Sequence, residues 1–302
     1  MTMGSDGDYK WVGKSSVRPD GADKVTGRAK FAADGNMPGM LVGKILRSPH
    51  AHACIKSIDT SKAEKLAGVK AVAVGKDFPT PPNKPSSIGI LVANFSEMSD
   101  KLMARNKVLY DGHPVAAVAA TSTAIADKAL SRIKIDYQIL PHVIDVDEAM
   151  KSNAPVLHKK MITAGVDPAP KKASNVASRV EFGFGDVEAG FAAADAIVER
   201  TYKTKPAHQG YIEPHSAVVS VAADGQVTIW CSSQGQFMVR AYCARLLMID
   251  EAQIRVIPAE IGGGFGGKTT IYLEPVAIML SGMAGQPVKM TMTRNEVMRA
   301  SG

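Results

Sequence analysis

Apolar runs separated by polar turns predict alternating strands and helices in the first half of the chain. Three runs have the length and composition of buried strands: residues 40–46, 69–74 and 114–120. Residues 121–133 predict a helix, because apolar side chains recur every four positions behind Ser122 or Thr123, either of which can cap it. Residues 133–137 then alternate apolar and polar side chains, as a half-buried strand does. We therefore expect residues 22–150 to form one compact α+β unit.

The second half of the chain repeats this mixture of strand and helix patterns. Two apolar runs, residues 217–222 and 227–230, flank Asp224-Gly225, a pair typical of a tight β-hairpin turn. The remaining predicted elements are helices at residues 186–194, 237–248 and 274–280 and strands at residues 197–202, 254–257 and 288–292. Residues 180–302 are therefore expected to form a second unit of mixed α and β structure.

Two stretches and the end of the chain fall outside this regular pattern. Residues 151–179 contain three prolines, many polar residues and little periodicity, which predicts a linker. Residues 1–21 are polar and are expected to form an N-terminal arm that lies on another surface. The last predicted strand ends shortly before Gly302, and no closing helix is evident after it. We therefore expect the second unit to be incomplete, because a partner polypeptide supplies the rest or because the chain is a fragment.

Composition narrows the class of protein. The chain is 45% hydrophobic and 22% charged, as globular proteins are, and its net charge of +7 comes from scattered basic residues. Few aromatic residues lie among them, which disfavours nucleic-acid binding. Cys54, Cys231 and Cys243 form no C-x-x-C pair and carry no zinc or iron–sulfur signature, and such sparse cysteines predict a cytoplasmic location. The polar N-terminus is not a signal peptide, and no apolar run is long enough for a membrane span.

Residues 262–268, with the sequence GGGFGGK, form the most unusual stretch, since five glycines surround one aromatic residue. Bare backbone can approach a large ligand, and a glycine loop between strand and helix commonly cradles phosphates or cofactors. The spacing of Gly262, Gly267, Lys268 and Thr269 also satisfies the nucleotide-binding P-loop pattern. However, glycine and phenylalanine fill its variable positions, and no second motif for magnesium is found. We therefore favour a cofactor loop of another kind over a nucleotide loop or a plain glycine-rich turn.

Several short segments, each weak alone, occur in an order that resembles one enzyme family. They are residues 23–34 (DKVTGRAKFAAD), 47–53 (RSPHAHA), 112–118 (GHPVAAV), 136–141 (DYQILP) and 209–215 (QGYIEPH), followed by Gln234 and the glycine loop. From about Asp23 onward the chain is similar to the molybdenum-cofactor subunit of the xanthine dehydrogenase and aldehyde oxidase family of molybdenum hydroxylases. The resemblance implies an α+β fold in which a hammerhead domain, residues 22–150, precedes the first lobe of a molybdopterin-binding domain, residues 180–302.

The resemblance also implies a cofactor site. In this family a pterin dithiolene holds the molybdenum, and protein side chains rarely bind the metal itself. Gln234 should therefore donate an amide hydrogen bond to the metal's oxo ligand, and Phe265 should come near the metal through its backbone. Gly263, Gly264 and Gly266 should let the main chain lie against the pterin. The family's catalytic base is a glutamate in the second half of the cofactor domain, and it has no counterpart in this sequence.

The family reaction adds oxygen from water to an electron-poor carbon, and two electrons leave through iron–sulfur clusters, often to FAD. The resemblance therefore implies molybdenum-molybdopterin as the cofactor, with its cytosine dinucleotide form among the candidates. It implies three partners: a second molybdopterin-lobe subunit, a two-cluster iron–sulfur subunit and an FAD subunit. The expected small-molecule substrate is an N-heteroaromatic, an aromatic acyl-CoA or an aldehyde. Xanthine is disfavoured, because Thr269 stands where purine-oxidising members place a glutamate.

Simpler roles remain open for the chain and for several of its side chains. The main alternative is a non-catalytic subunit that keeps the fold and serves the assembly of such a complex. Glu213 and His215 are interpreted as structural or pocket-lining, and His50 and His52 as parts of a satisfied turn. Lys268 is expected to pair with a nearby acid rather than with a phosphate.

Overall fold

The computed structural model describes residues 10–88 and 91–301 of the chain. The strands are β1 (Leu41–Arg47), β2 (Ala53–Asp59), β3 (Val69–Val74), β4 (Pro85–Ile88), β5 (Leu91–Asn94), β6 (Lys107–Val108), β7 (Pro114–Ala120), β8 (Lys134–Ile139), β9 (Ser216–Val221), β10 (Val227–Cys231), β11 (Ile254–Pro258) and β12 (Val288–Thr291). The helices are α1 (Gly21–Val25), α2 (Ser61–Glu64), α3 (Phe95–Leu102), α4 (Thr123–Leu130), α5 (Val146–Met150), α6 (Val187–Ala192), α7 (Gln236–Leu247), α8 (Glu274–Ala284) and α9 (Arg294–Ala300).

A seven-stranded mixed sheet organises the fold, in the order β11-β10-β9-β12-β1-β7-β3. β1 and β12 pair in parallel, with Leu41 opposite Val288, and this pairing joins strands from the two halves of the sequence. A smaller sheet has the order β6-β2-β8, and β4 pairs with β5. Strands that precede residue 151 and strands that follow residue 179 in the sequence therefore belong to one sheet. The division into two domains joined by a linker remains a prediction.

The apolar run of β7 is buried because other elements cover this strand on both faces of the large sheet. Ala117 and Ala119 belong to the core on the side of α8, and the alternate residues of β7 belong to a second core on the side of α4. Ala126 and Ala129 of α4 are fully buried in that second core. A strand covered on both faces carries a continuous apolar sequence, which explains why this strand is predicted with its observed bounds.

The predicted β-hairpin in the second half of the chain is confirmed. β9 and β10 pair antiparallel, with Val221 opposite Val227. At the turn, Gly225 has a φ of +85°, and the backbone N–H of Gln226 donates to Oδ1 of Asp224 at 3.0 Å. A positive φ suits glycine, since a side chain would strain this backbone. The hairpin directs the end of β10 towards the glycine loop, residues 262–268, described below.

Two predictions about the second half are wrong. Residues 197–202 form no strand, because no other strand of the described structure pairs with them. The expected absence of a closing helix is also contradicted, since α9 follows β12 directly. The α9 helix begins with a capping box, in which Thr293 Oγ1 accepts from the Glu296 N–H at 3.2 Å and Glu296 Oε2 accepts from the Thr293 N–H at 2.8 Å. The T-x-x-E capping signal of this helix is present in the sequence, although the spacing of apolar residues alone does not reveal it.

The predicted N-terminal arm is only partly covered by the structure. Residues 1–9 lie outside the described residues, and residues 10–20 contain neither helix nor strand. Just after them, Lys24 forms ion pairs with Asp20 at 2.9 Å and with Glu260 at 3.0 Å. The contact with Glu260 fastens the end of α1 close to the glycine loop.

Candidate functional site

Parallel strand pairing brings the main candidate residues together. β10 and β11 are parallel neighbours that pair as far as Cys231 and Pro258. Gln234 follows the end of β10, and the glycine loop, residues 262–268, follows the end of β11. Because the carboxyl ends of parallel strands meet at one edge of a sheet, the two lie side by side.

The side chain of Gln234 is fixed by the backbone of the loop. Its Oε1 accepts hydrogen bonds from the N–H groups of Gly266 and Lys268, both at 3.1 Å. The N–H of Gln234 donates in turn to the carbonyl oxygen of Lys268 at 2.9 Å. Two donors on Oε1 define the orientation of the amide and leave Nε2 as its donor end. Within residues 10–88 and 91–301, no group accepts a hydrogen bond from that Nε2, and Gln234 is exposed.

Glycine is required at two loop positions by contact and by backbone conformation. A Cβ atom on Gly264 would lie 2.5 Å from Oε1 and 2.6 Å from Cδ of Gln234, so any other residue here would displace the Gln234 side chain. Gly266 has a φ of +89°, which residues with side chains rarely adopt. The loop is thus a stretch of bare backbone shaped around the Gln234 side chain.

Phe265 is the exception within this bare loop. Its φ is +48°, in the left-handed region, and its side chain is 75% exposed. A non-glycine residue in this region costs on the order of 1 kcal/mol, and an exposed phenyl ring gives little packing in return. Such strain is more common at ligand sites than in ordinary turns. The ring is therefore available to a ligand or partner that contacts the loop.

A buried ion pair anchors both ends of the glycine loop. Lys268 Nζ lies 2.6 Å from Oε2 of Glu213, and the lysine side chain is fully buried. The same Oε2 accepts from the Gly262 N–H at 2.8 Å, and the Glu213 N–H donates to the Gly262 carbonyl oxygen at 3.2 Å. Burial lowers the pKa of Lys268, and the hydrogen bond and charge of Glu213 oppose that shift. The expected pairing of Lys268 with an acid is confirmed, and this pairing removes the cation that a P-loop would offer to phosphate.

The ring of Tyr211 packs against the glycine loop. A Cβ atom on Gly267 would lie 2.6 Å from Cε1 of Tyr211, so the loop can pack on this ring only through glycine. The Tyr211 hydroxyl is 2.8 Å from His215 Nε2 and 2.8 Å from Ser301 Oγ, and Lys268 Nζ lies 5.1 Å from the ring centre. The structural interpretation of His215 therefore agrees with its position in a hydrogen-bonded layer under the loop.

Sequence reasoning did not find the supporting role of Tyr211, Arg294 and Ser301. Arg294 donates to the carbonyl oxygen of Tyr211 at 2.8 Å and also to that of Ile212. These residues come from α9 and from the segment before β9, and only tertiary structure brings them together. The expectation of a satisfied turn is met at only one ring nitrogen of His52: Nδ1 is 2.6 Å from the Pro141 carbonyl oxygen, whereas Nε2 is buried without a hydrogen-bond partner among the described residues.

Two buried histidines should make stability depend on pH. Burial lowers the pKa of His215 to about 3, with help from the positive charge of Lys268, and burial lowers the pKa of His113 to about 4. Both values lie below the ordinary value near 6.5, so the unfolded chain binds protons first as the pH falls. The free energy of unfolding is therefore expected to be highest above about pH 6.5. It should fall between about pH 6.5 and 4 by up to about 1.4 kcal/mol per pH unit for each histidine.

Urea unfolding of the chain at a series of pH values measures this dependence. The variant His215→Gln should remove the contribution of His215 to the slope and leave that of His113. A slope in the variant equal to that of the original chain would show that His215 does not titrate as its buried position requires.

The described residues contain neither a cluster of metal-binding side chains nor a membrane-spanning helix. No group of three or more histidine, cysteine, aspartate or glutamate side chains in residues 10–88 and 91–301 is arranged to hold a metal ion. None of the helices in this part of the chain is long and apolar enough to cross a membrane.

Comparison with known families finds two matches that together span most of the chain. Residues 26–141 match the a/b hammerhead domain of aldehyde oxidase and xanthine dehydrogenase, and residues 145–302 match the molybdopterin cofactor-binding domain. These matches confirm the predicted fold class, an α+β chain of hammerhead and molybdopterin-binding structure.

Individual relatives agree with these matches. The chain is 36% identical over 286 residues to a probable xanthine dehydrogenase subunit of Bacillus subtilis, covering 95% of this chain and 35% of that protein. It is 32% identical over 289 residues to the nicotinate dehydrogenase large molybdopterin subunit of Eubacterium barkeri, covering 96% of this chain and 63% of that protein. Among solved structures, quinoline 2-oxidoreductase of Pseudomonas putida 86 superposes with a TM-score of 0.79 at 29% identity, covering 94% of this chain and 35% of that one. The chain thus spans about a third to two thirds of the length of these relatives.

Proposed function

The chain belongs to the aldehyde oxidase and xanthine dehydrogenase family, and on that basis we propose that it is a molybdopterin-binding subunit of a multi-subunit molybdenum hydroxylase. The complex would oxidise an N-heteroaromatic, aromatic acyl-CoA or aldehyde substrate with water as the oxygen source. Because the chain matches only part of each relative, we assign this activity to the complex and not to the chain alone.

The convergence of Gln234 with the glycine loop is the observation that supports this proposal most strongly. At Gly266 the position of a Cβ atom is open space, so a flat pterin can approach the backbone there, while at Gly263 and Gly264 that position faces Tyr211 and Gln234 of the protein. Beside it, Nε2 of Gln234 is a donor without a protein partner in the described part of the chain, and the loop holds it in place. A fixed donor beside an open backbone cradle fits a cofactor that carries hydrogen-bond acceptors.

The protein residues of this site have positioning roles. When bound, the molybdenum cofactor supplies the chemistry that inserts oxygen from water and removes two electrons from the substrate. Gln234 would donate to an acceptor atom at the metal end of the cofactor, and Phe265 would contact the cofactor through its backbone. Glu213 and Lys268 hold the ends of the loop, so that this donor stays in one orientation. The catalytic base is not among the residues assigned here, and we expect a glutamate of the second molybdopterin lobe to provide it.

The proposed partners are a second molybdopterin-lobe subunit, a two-cluster iron–sulfur subunit and an FAD subunit. The lengths of the relatives support a divided molybdopterin subunit. This chain covers 63% of the Eubacterium barkeri protein but only 35% of the Bacillus subtilis relative, so molybdopterin subunits of this family differ greatly in length. A cytoplasmic location is proposed from the three free cysteines, Cys54, Cys231 and Cys243.

An N-heteroaromatic compound is the substrate class that the comparisons favour. Two relatives have names that refer to nicotinate and quinoline, both of which are nitrogen heterocycles. Thr269 follows the loop where a purine-binding glutamate would be expected, and its hydroxyl donates to the Gly266 carbonyl oxygen at 2.8 Å. The Thr269 hydroxyl thus hydrogen-bonds within the loop, and this position has no carboxylate that could bind a purine.

Two substitutions at Gln234 separate the support of the loop from the donor role. Gln234→Glu keeps an acceptor for the Gly266 and Lys268 N–H groups but removes the Nε2 donor. We expect the native complex with this variant to retain molybdenum and to lose about 10²–10³ in kcat, the typical effect of removing one fixed donor. Gln234→Ala removes the acceptor as well, and we expect it to lower the molybdenum content itself. The measurements are molybdenum by mass spectrometry and turnover of nicotinate, quinoline and an aromatic aldehyde.

The same measurements test the alternative of a non-catalytic assembly subunit. If the native complex with the unsubstituted chain contained no molybdenum, this result would contradict the proposed function and favour the assembly role. A complex that contains molybdenum but keeps full activity in both variants would show that the metal lies away from Gln234.

A further inference from the structure

One segment of the chain exposes an unusual number of large apolar side chains. This apolar segment, residues 180–202, lies between the predicted linker and the residues that support the glycine loop. Eight of its large hydrophobic side chains are exposed: Val180, Phe182, Phe184, Val187, Phe191, Ile197, Val198 and Tyr202. Phe182 and Phe184 are each at least 95% exposed. Such a concentration of apolar surface marks a contact site in a folded protein.

Part of the same segment has backbone groups that are available for strand pairing. The β-branched and aromatic residues of 197–202 predict a strand, but the structure shows irregular backbone there. Within the described residues, no backbone–backbone hydrogen bond involves the N–H or C=O groups of residues 197–204. A stretch of strand-forming residues whose backbone is not paired with another strand is a template for pairing with the edge of another sheet.

The position of the segment indicates which surface it meets. His208, a few residues further on, lies 5.2 Å from the ring of Tyr211, which supports the glycine loop. Residues 197–204 therefore lead along the chain directly into the support of the candidate cofactor site, while Lys203 pairs with Asp147 of α5. The solved quinoline 2-oxidoreductase matches 94% of this chain, yet the match covers only 35% of that protein. The quinoline enzyme and the Bacillus subtilis relative thus each carry about twice as much polypeptide beyond the part that matches this chain.

We infer that the apolar segment is the docking element for the second molybdopterin lobe. Residues 197–204 pair as a strand with an open sheet edge of that lobe, and Phe182, Phe184 and Phe191 pack against its apolar face. This inference rests on the proposed function, because it takes the second lobe as a separate subunit. It explains why a strong strand pattern forms no strand in this chain: its hydrogen-bonding partner belongs to another polypeptide.

Hydrogen–deuterium exchange tests the pairing in the native complex, purified through an affinity tag on this chain. The backbone amides of residues 197–204 should exchange at least about ten-fold more slowly in the complex than in the isolated chain, because paired strand amides exchange only on opening. Amine-reactive cross-linking through Lys203 and Lys205, both exposed, should join this segment to the lobe subunit. Equal exchange rates in the complex and the isolated chain would overturn the inference. Cross-links only to a second copy of this chain, or only to an iron–sulfur subunit, would overturn it as well.

A matched pair of substitutions tests the apolar contact. Val198→Asp places a charge in the proposed strand, and Val92→Asp places the same charge at a similarly exposed valine in β5. The first variant should reduce the lobe subunit recovered with the tagged chain by about ten-fold or more, and the second should leave its recovery unchanged. Equal recovery with both variants would contradict the assigned surface. Both chains should unfold at the urea concentration of the original, since both sites are exposed.

The molybdenum content of the same preparations distinguishes a failure of the docking inference from a failure of the proposed function. A complex that contains molybdenum but shows no protection of residues 197–204 would remove this inference and leave the proposed function intact. A protected segment in a complex without molybdenum would support the docking surface and contradict the proposed function.

Discussion

Replacing Lys268 with methionine is expected to lower the free energy of unfolding of the chain by about 3–5 kcal/mol. The substitution leaves the carboxylate of Glu213 inside the protein without its cation, and an unpaired buried charge is among the most destabilising changes known. It also releases the side-chain anchor at one end of the glycine loop. Urea unfolding monitored by circular dichroism measures the effect.

An exposed ion pair provides the control for this prediction. Lys151 pairs with Glu148 at 2.7 Å, but both side chains are 57% exposed, so Lys151→Met should cost less than about 1 kcal/mol. The double variant Glu213→Gln with Lys268→Met should recover most of the lost stability, since neither residue then carries a charge. A loss for Lys268→Met no greater than that for Lys151→Met would contradict the structural role of the buried pair.

The second large effect is expected for Gly264→Ala, in the affinity for the cofactor. The new Cβ atom would overlap Oε1 and Cδ of Gln234, and the side chain would have to leave its two N–H donors. The loop would lose two internal hydrogen bonds of about 1 kcal/mol each, and a loop and amide that are no longer held in place should bind the cofactor more weakly. Molybdenum per complex, measured by mass spectrometry after dialysis against a chelator-free buffer, should fall accordingly.

Gly282→Ala is the matched control for this glycine substitution. Gly282 lies in α8 with open space where a Cβ atom would be added, and alanine favours a helix more than glycine does. This variant should keep its molybdenum and gain up to about 1 kcal/mol in stability. Full molybdenum content in Gly264→Ala would contradict the assigned contact between the loop and the cofactor.

Local sequence signals predict the parts of the fold that depend on local physics. β7 coincides with its predicted run because burial on both faces requires an unbroken apolar sequence. The helix predicted at residues 121–133 is real but shorter, and Ser122 caps α4 by accepting from the Ile125 N–H at 3.3 Å. Ile133 continues the apolar spacing beyond the end of the helix, because it is buried against the same core after the chain has turned. Spacing alone does not separate these two ways of burying an apolar side chain.

The candidate site shows where sequence reasoning reaches its limit. Motif and resemblance identify the glycine loop and Gln234, and the structure brings them into direct contact. The pairing of Lys268 with Glu213 joins residues 55 positions apart, and it depends on the antiparallel pairing that places the start of β9 beside the end of β10, which no local pattern encodes. The strand pattern at residues 197–202 is misleading for a related reason. A strand needs a neighbour, and the sequence of one chain does not say whether that neighbour is in the same polypeptide.

Single-particle cryo-electron microscopy of the native complex tests the central claim, that Gln234 and the backbone of residues 262–268 hold the molybdenum cofactor. The account predicts pterin density lying along Gly263, Gly264 and Gly266, with the metal end within hydrogen-bonding reach of Gln234 Nε2. Cofactor density bound elsewhere in the complex, with this loop facing only solvent or another protein surface, would contradict it.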